Sequence, residues 1–207
     1  MNTPLRSKES NTTSKGHERA SAILAAARAI LGTEGDAALT MRSVALRVGM
    51  SLSNVQHYYP SRDALLEALL NQAFDSYQAA IDERLAQRGQ RSGMAVFESI
   101  IAYFLDDLRD QISSGLFFEI AALTNRHPYA ARMFDGMLTR ARKTLRNLMR
   151  DIAPQMTARQ CEVRGALIVS QMIGLMVFLS DTRPKHEELA ELQQEATAAI
   201  MRIAFSG

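Results

Sequence analysis

Residues 40–62 read TMRSVALRVGMSLSNVQHYYPSR, and this stretch decides the fold. Thr40 stands where a short helix over 41–48 needs its N-cap, and Val44 and Val48 fall on one face of that helix. Gly49-Met50-Ser51 is a tight turn, because glycine adopts the left-handed backbone that ends a helix without steric cost. A second short helix runs to about Tyr59, where Pro60-Ser61 stops it. Helices joined by so brief a turn cross steeply, so their contact positions must be small or aliphatic. Ala45 meets that need, and Val44, Val48, Met50, Val55 and Tyr58 are spaced to form the shared core. The outward face then carries Leu52, Ser53, Asn54, Gln56 and His57, with Ser51 in the turn. Asn and Gln pair with adenine edges, Ser bonds many base edges, and Leu fits a thymine methyl. Thr40, Arg42, Tyr58, Tyr59 and Arg62 are types that hydrogen-bond phosphates. This is helix-turn-helix logic, although an ordinary helical hairpin with a polar face has the same spacing. On spacing alone the two readings are level.

The surrounding chain is helical as well. Ser, Thr, Asn and Lys dominate residues 1–16, which are expected to form a flexible arm. From His17, Ile23, Ala26, Ala27, Ile30 and Leu31 keep helical spacing, and Gly32 and Gly35 are expected to stop the run. Ser61 caps a long helix holding Leu65, Leu66, Leu69, Phe74, Tyr77, Ile81 and Leu85, and 89–93 is a loop. Further helices are expected over about 94–110, 116–125, 128–152, 158–180 and 185–205, with breaks at His127-Pro128 and Pro184. No strand alternation appears. The expectation is an all-α protein of about nine helices: a three-helix N-terminal head with a helix-turn-helix over 17–63, and a helical bundle over 64–207.

Composition narrows the class. The chain has 207 residues, 47% hydrophobic and 22% charged, which is ordinary for a globular protein. A single cysteine, Cys161, excludes an internal disulfide. The N-terminus lacks the apolar core of a signal peptide. The longest nearly apolar run, 166–179, has 14 residues, short of a membrane span, so a soluble cytoplasmic protein with no membrane partner is expected. Net charge is +2, but residues 1–62 hold eight Lys/Arg against four acids while the rest is slightly acidic. A basic first third suits a polyanion.

The stretch from about His17 to Leu69 resembles the DNA-binding domain of the tetracycline-repressor (TetR) family of bacterial regulators. The matching segments are ILAAARAILGTEG, LTMRSVALRVGMS and NVQHYYPSRDALLEALL. The family's Gly-Val-Ser turn, its aromatic pair and its Ser-Lys-Glu-x-Leu-Leu helix start become Gly49-Met50-Ser51, Tyr58-Tyr59 and Ser61-Arg62-Asp63-Ala64-Leu65-Leu66. Two departures stand out. Gln56 occupies the place of a common backbone-touching tyrosine, so it reads either a base or a phosphate, and Arg62 replaces the common lysine. The resemblance implies a ligand-responsive repressor that binds a pseudo-palindromic duplex operator as a homodimer.

It also implies a ligand-sensing and dimerising body. The apolar stretch 165–179 and the last helix, with Leu189, Leu192, Ala196, Ala199, Ile200 and Ile203 on one stripe, fit the family's dimer-forming pair. A small, largely apolar effector is expected, with Tyr103, Phe117, Asn125, Met133, Met137, Gln171 and Met172 as candidate contacts; taken singly, the Met and Phe residues also read as plain core. Arg142, Arg146 and Arg150 read first as a solvated row and second as partners of an acidic ligand or of inter-helix ion pairs, and Asp106, Asp107 and Asp110 read as a wet surface. The four histidines lack metal-ligand spacing, Cys161 has no neighbouring base, and no phosphate loop or nucleophile elbow occurs. Neither an enzyme, a metal nor a cofactor is expected. The alternative is a helical ligand- or protein-binding module without DNA binding.

Overall fold

In the computed structural model, residues 6–181 and 183–206 are described, and they form nine α-helices without a strand. These are α1 (Arg6–Glu34), α2 (Met41–Val48), α3 (Leu52–Tyr58), α4 (Arg62–Ala86), α5 (Gly93–Asp107), α6 (Gln111–Leu123), α7 (Pro128–Ile152), α8 (Ala158–Leu179) and α9 (Leu192–Phe205). Six of them start at a side-chain cap. Thr40, Ser51, Ser61, Ser92, Asp110 and Thr157 each accept the backbone N–H three residues on. A cap of this kind contributes about 1 kcal/mol, so polar residues fix where the helices begin.

Four boundaries differ from expectation, each for a local reason. Helix α1 starts at Arg6 and takes in much of the expected arm, because no Pro or Gly stands between Arg6 and Lys15; residues 1–5 lie outside the described residues. It also continues through Gly32 to Glu34. Helix α6 starts at Gln111, five residues before the expected 116, because Asp110 caps it. Helix α9 starts only at Leu192, because a turn of 3-10 helix over Glu187–Leu189 takes up the chain before it.

Gly32 and Gly115 explain one another. A Cβ on Gly115 would lie 1.9 Å from the Gly32 carbonyl oxygen, and a Cβ on Gly32 would lie 2.7 Å from that of Ile112. Both glycines are helical here, and their missing side chains let α1 and α6 cross backbone against backbone. Arg28 Nη2 donates to Ser113 Oγ at 3.1 Å, and Asp36 N–H donates to Glu119 Oε2 at 3.1 Å, one on each side of that crossing.

Two apolar cores result. The first joins Ile23, Ala27, Ile30 and Leu31 of α1 to Val44, Val55, Leu65 and Leu69, and takes in Leu116, Ile120 and Leu123 of α6. The second lies among the later part of α4, α5 and α7 to α9, around Phe97, Ile101, Leu148, Ile168 and Ile200. Helix α4 serves both, with Leu65 to Phe74 in the first core and Ile81 in the second. The head therefore rests on the body through α4 and α6.

Candidate nucleic-acid interface and ligand cavity

Helices α2 and α3 meet as the sequence spacing requires. Val44, Ala45 and Val55 are buried between them, with Val48, Met50 and Tyr58 partly buried alongside. Gly49 sits at φ 66° and ψ 31°, and the Met50 N–H closes back on the Ala45 carbonyl at 3.0 Å. Thr40 and Ser43 cap each other reciprocally at 3.0 Å. Ser51 Oγ accepts from Asn54 N–H at 3.2 Å and lies 3.0 Å from Ser53 Oγ. With Val55 pinned in the core, Ser53, Asn54, Gln56 and His57 stand exposed along one side of α3, and Leu52 is half-buried at its start. His57 and Tyr58 are in edge contact, their ring centroids 5.5 Å apart.

The flanking residues divide. Arg42 is exposed on α2. Leu46, one turn further along the same face and 85% exposed, is a neighbour that sequence reasoning passed over. The Thr40 hydroxyl is occupied as a cap. Tyr59 is half-buried, its hydroxyl donates to the Ala20 carbonyl of α1 at a long 3.4 Å, and burial pushes its pKa up. Arg62 turns inward. It pairs with the Asp36 carboxylate, and its Nε–H donates to the Leu39 carbonyl at 2.8 Å. Arg47 is engaged by Glu34, so part of the basic surplus in the first third is internal.

Behind the head lies a cavity of about 170 Å³, lined by α4 to α8 and reached from the head by Arg28 of α1. Of the expected ligand contacts, Tyr103, Phe117, Met137 and Met172 line it. Asn125 and Met133 do not: Asn125 is exposed after the end of α6, and Met133 packs on the first core. Gln171 lies outside the lining too, with its Oε1 buried and unbonded among the described residues. A correction concerns Asp107, read as wet surface but in fact part of the cavity wall. Its Oδ1 accepts from Ser113 Oγ at 3.0 Å, and Ser113 Oγ accepts in turn from Arg28. Burial raises the Asp107 pKa, while the Ser113 hydrogen bond and the Arg28 charge oppose the rise and Asp110 adds to it. Tyr77 and Tyr103 lie beside this group, 6.0 Å apart by ring centroids, and burial pushes both hydroxyls up. The Arg84 guanidinium covers the Tyr103 ring at 4.0 Å. Arg28, Ser113 and Tyr77 had no signal in sequence, since they meet only across helix contacts.

The rest of the body bears on assembly. Helix α8 is, among the described residues, the one helix long and apolar enough to cross a membrane. Cys161, Ile168, Met172 and Met176 of α8 are buried in the second core. Its other side exposes Val163, Leu167, Val177 and Phe178, Leu167 by 53% and Phe178 by 57%. Of the arginine row on α7, Arg146 pairs with Glu162 of α8 at 3.2 Å.

Residues 23–69 match the sequence profile of the bacterial regulatory proteins of the tetR family. A stretch of 60 residues is 47% identical to a protein of Xanthobacter autotrophicus described as an uncharacterized HTH-type transcriptional regulator in the dhlA 5′ region; it is 29% of this chain and 30% of that protein's length. The whole fold is similar to a TetR transcription regulator from Haloarcula marismortui, with a TM-score of 0.73 at 18% identity over 91% of this chain and 97% of the other. It is equally similar, at TM-score 0.73 and 14% identity over 89% and 96% of the two chains, to a protein from Saccharomonospora viridis solved with choline.

Proposed function

For a chain whose residues 23–69 belong to the tetR family of bacterial regulatory proteins, we propose a dimeric, ligand-responsive transcriptional regulator that represses from a two-fold symmetric operator. The observation that carries this reading is the exposed side of α3. Ser53, Asn54, Gln56 and His57 stand exposed along it, on a helix locked by its Ser51 cap, the Gly49 turn and buried Val55. Such a helix fits the major groove, where Asn and Gln discriminate adenine and each good pair is worth about 1–3 kcal/mol. Arg42 on α2 and the N-terminus of α2 supply backbone contacts beside it. Arg62 acts through the fold, as a residue that positions the head.

The exposed apolar side of α8 supports dimerisation, because soluble chains seldom leave such a stripe open. The fold's likeness to a protein solved with choline, together with the cavity against α1, supports a small-molecule effector. Effector binding would shift the separation of two heads through α4 and α6, with a coupling of typically 1–3 kcal/mol. The test is selection of random duplex DNA by the purified protein at near-physiological salt. A consensus with two-fold symmetry is expected; retention of DNA with no consensus, or no retention, would overturn the reading.

A further inference from the structure

The cavity behind the head is apolar nearly all round, with Leu116, Met137, Leu145, Val169, Met172 and Ile173 among its walls. Among its polar side chains, Arg28, Ser113 and Asp107 form a hydrogen-bonded chain where α1, α5 and α6 meet, flanked by Tyr77 and Tyr103, while Ser76 and Gln78 lie on the α4 wall and Arg140 and Thr144 on the α7 wall. A ligand seated there must therefore be an amphiphile, with its polar end toward α1.

Charge decides the kind of polar end. The cavity wall carries two guanidiniums, Arg28 and Arg140, against the single carboxylate of Asp107. A third guanidinium, Arg84, lies on the Tyr103 ring and occupies the aromatic face that would otherwise draw a cation. A cationic end paired with the other Asp107 oxygen would lie close to the Arg28 guanidinium, which repels it. An anionic end instead meets the positive surplus of the wall. Arg28 gives one N–H to Ser113 and has further donors in a planar fork suited to a carboxylate.

Resting on the reading of the body as ligand-sensing, we propose that the cavity takes a small amphiphile with an aryl or short alkyl body and a carboxylate end, and that Arg28 selects the anion. Arg28 belongs to the helix whose Ile23, Ala27, Ile30 and Leu31 build the core of the head. The ligand thus touches the DNA-reading unit itself, through the residue that ties α1 to α6.

Three probes with one body and different ends test this: 3-phenylpropanoate, 3-phenylpropanamide and 3-phenylpropylammonium, titrated calorimetrically into the full-length protein. The propanoate is expected to bind at least tenfold more tightly than either of the others. Arg28→Gln is expected to erase that preference, bringing the propanoate affinity down to that of the amide. Equal binding of the three would overturn the anion assignment and leave the cavity reading standing. Tightest binding of the ammonium would transfer recognition to Asp107 and likewise overturn it. No binding of any probe at millimolar concentration would overturn the cavity reading together with this inference. The ranking on the wild-type protein decides the matter even if Arg28→Gln does not fold.

Discussion

The Arg62 guanidinium at the start of α4 is held by Asp36 in the segment after α1, through the carboxylate and, at 3.1 Å, through the Asp36 carbonyl. With the 2.8 Å bond to the Leu39 carbonyl, one side chain ties α4 to the loop that leads into α2. Arg62→Ala leaves these acceptors without their partner and is expected to cost about 1–3 kcal/mol in a urea melt. Asp36→Ala is expected to cost less, because Arg62 keeps both carbonyls.

The same geometry separates Arg62 from Arg42 in DNA binding. Arg42→Ala is expected to reduce the slope of log affinity against log salt by about one. Arg62→Ala is expected to lower affinity through stability while leaving that slope unchanged. Fluorescence anisotropy over a salt series reads both.

Gly115→Ala places a methyl 1.9 Å from the Gly32 carbonyl oxygen, so α1 and α6 must separate. A cost of roughly 1–3 kcal/mol is expected from such overpacking. Gly136→Ala is the control, because a Cβ there meets nothing within 4 Å and removes a glycine from a helix, so it is expected to be neutral or stabilising. Thermal melts of the two variants should move in different directions.

Asp107 gives a pH signature. Its pKa is raised on folding, chiefly by burial, so the folded chain holds this proton more tightly than the unfolded one. Its ionisation therefore costs stability as pH rises through the window above the ordinary carboxylate value of 3.8. Asp107→Asn removes that loss and can still accept from Ser113. Its melting temperature is expected to exceed that of the wild type near pH 7, with the gap closing as pH falls through that window toward 3.8.

The dimer reading has its own test. Leu167→Asp combined with Phe178→Asp puts charge on the exposed side of α8 without touching the buried side. Sedimentation is expected to show a folded monomer, with operator affinity reduced by more than tenfold.

The pair α2 and α3 was legible because its determinants are local: caps three residues from their partners, a left-handed glycine, and Val44 and Val55 at fixed spacing. Gly32 reads as a stop in the sequence because a glycine that ends a helix and one that admits a neighbouring helix look alike there. Arg62 and Arg28 were beyond reach for a related reason, their partners lying 26 and 85 residues away. In the cavity the apolar candidates Phe117, Met137 and Met172 follow from residue type in a body that the family resemblance marks as ligand-sensing, whereas the charged end is a product of packing.

The central claim is that the exposed side of α3 reads bases, and the most direct measurement compares duplex selection by the wild type and by the triple variant Asn54→Ala, Gln56→Ala, His57→Ala. These side chains are exposed, so the variant is expected to keep its fold and its weak, salt-sensitive retention of DNA. The wild type is expected to enrich a two-fold symmetric consensus that the variant does not. Enrichment of the same consensus by both proteins would contradict the claim.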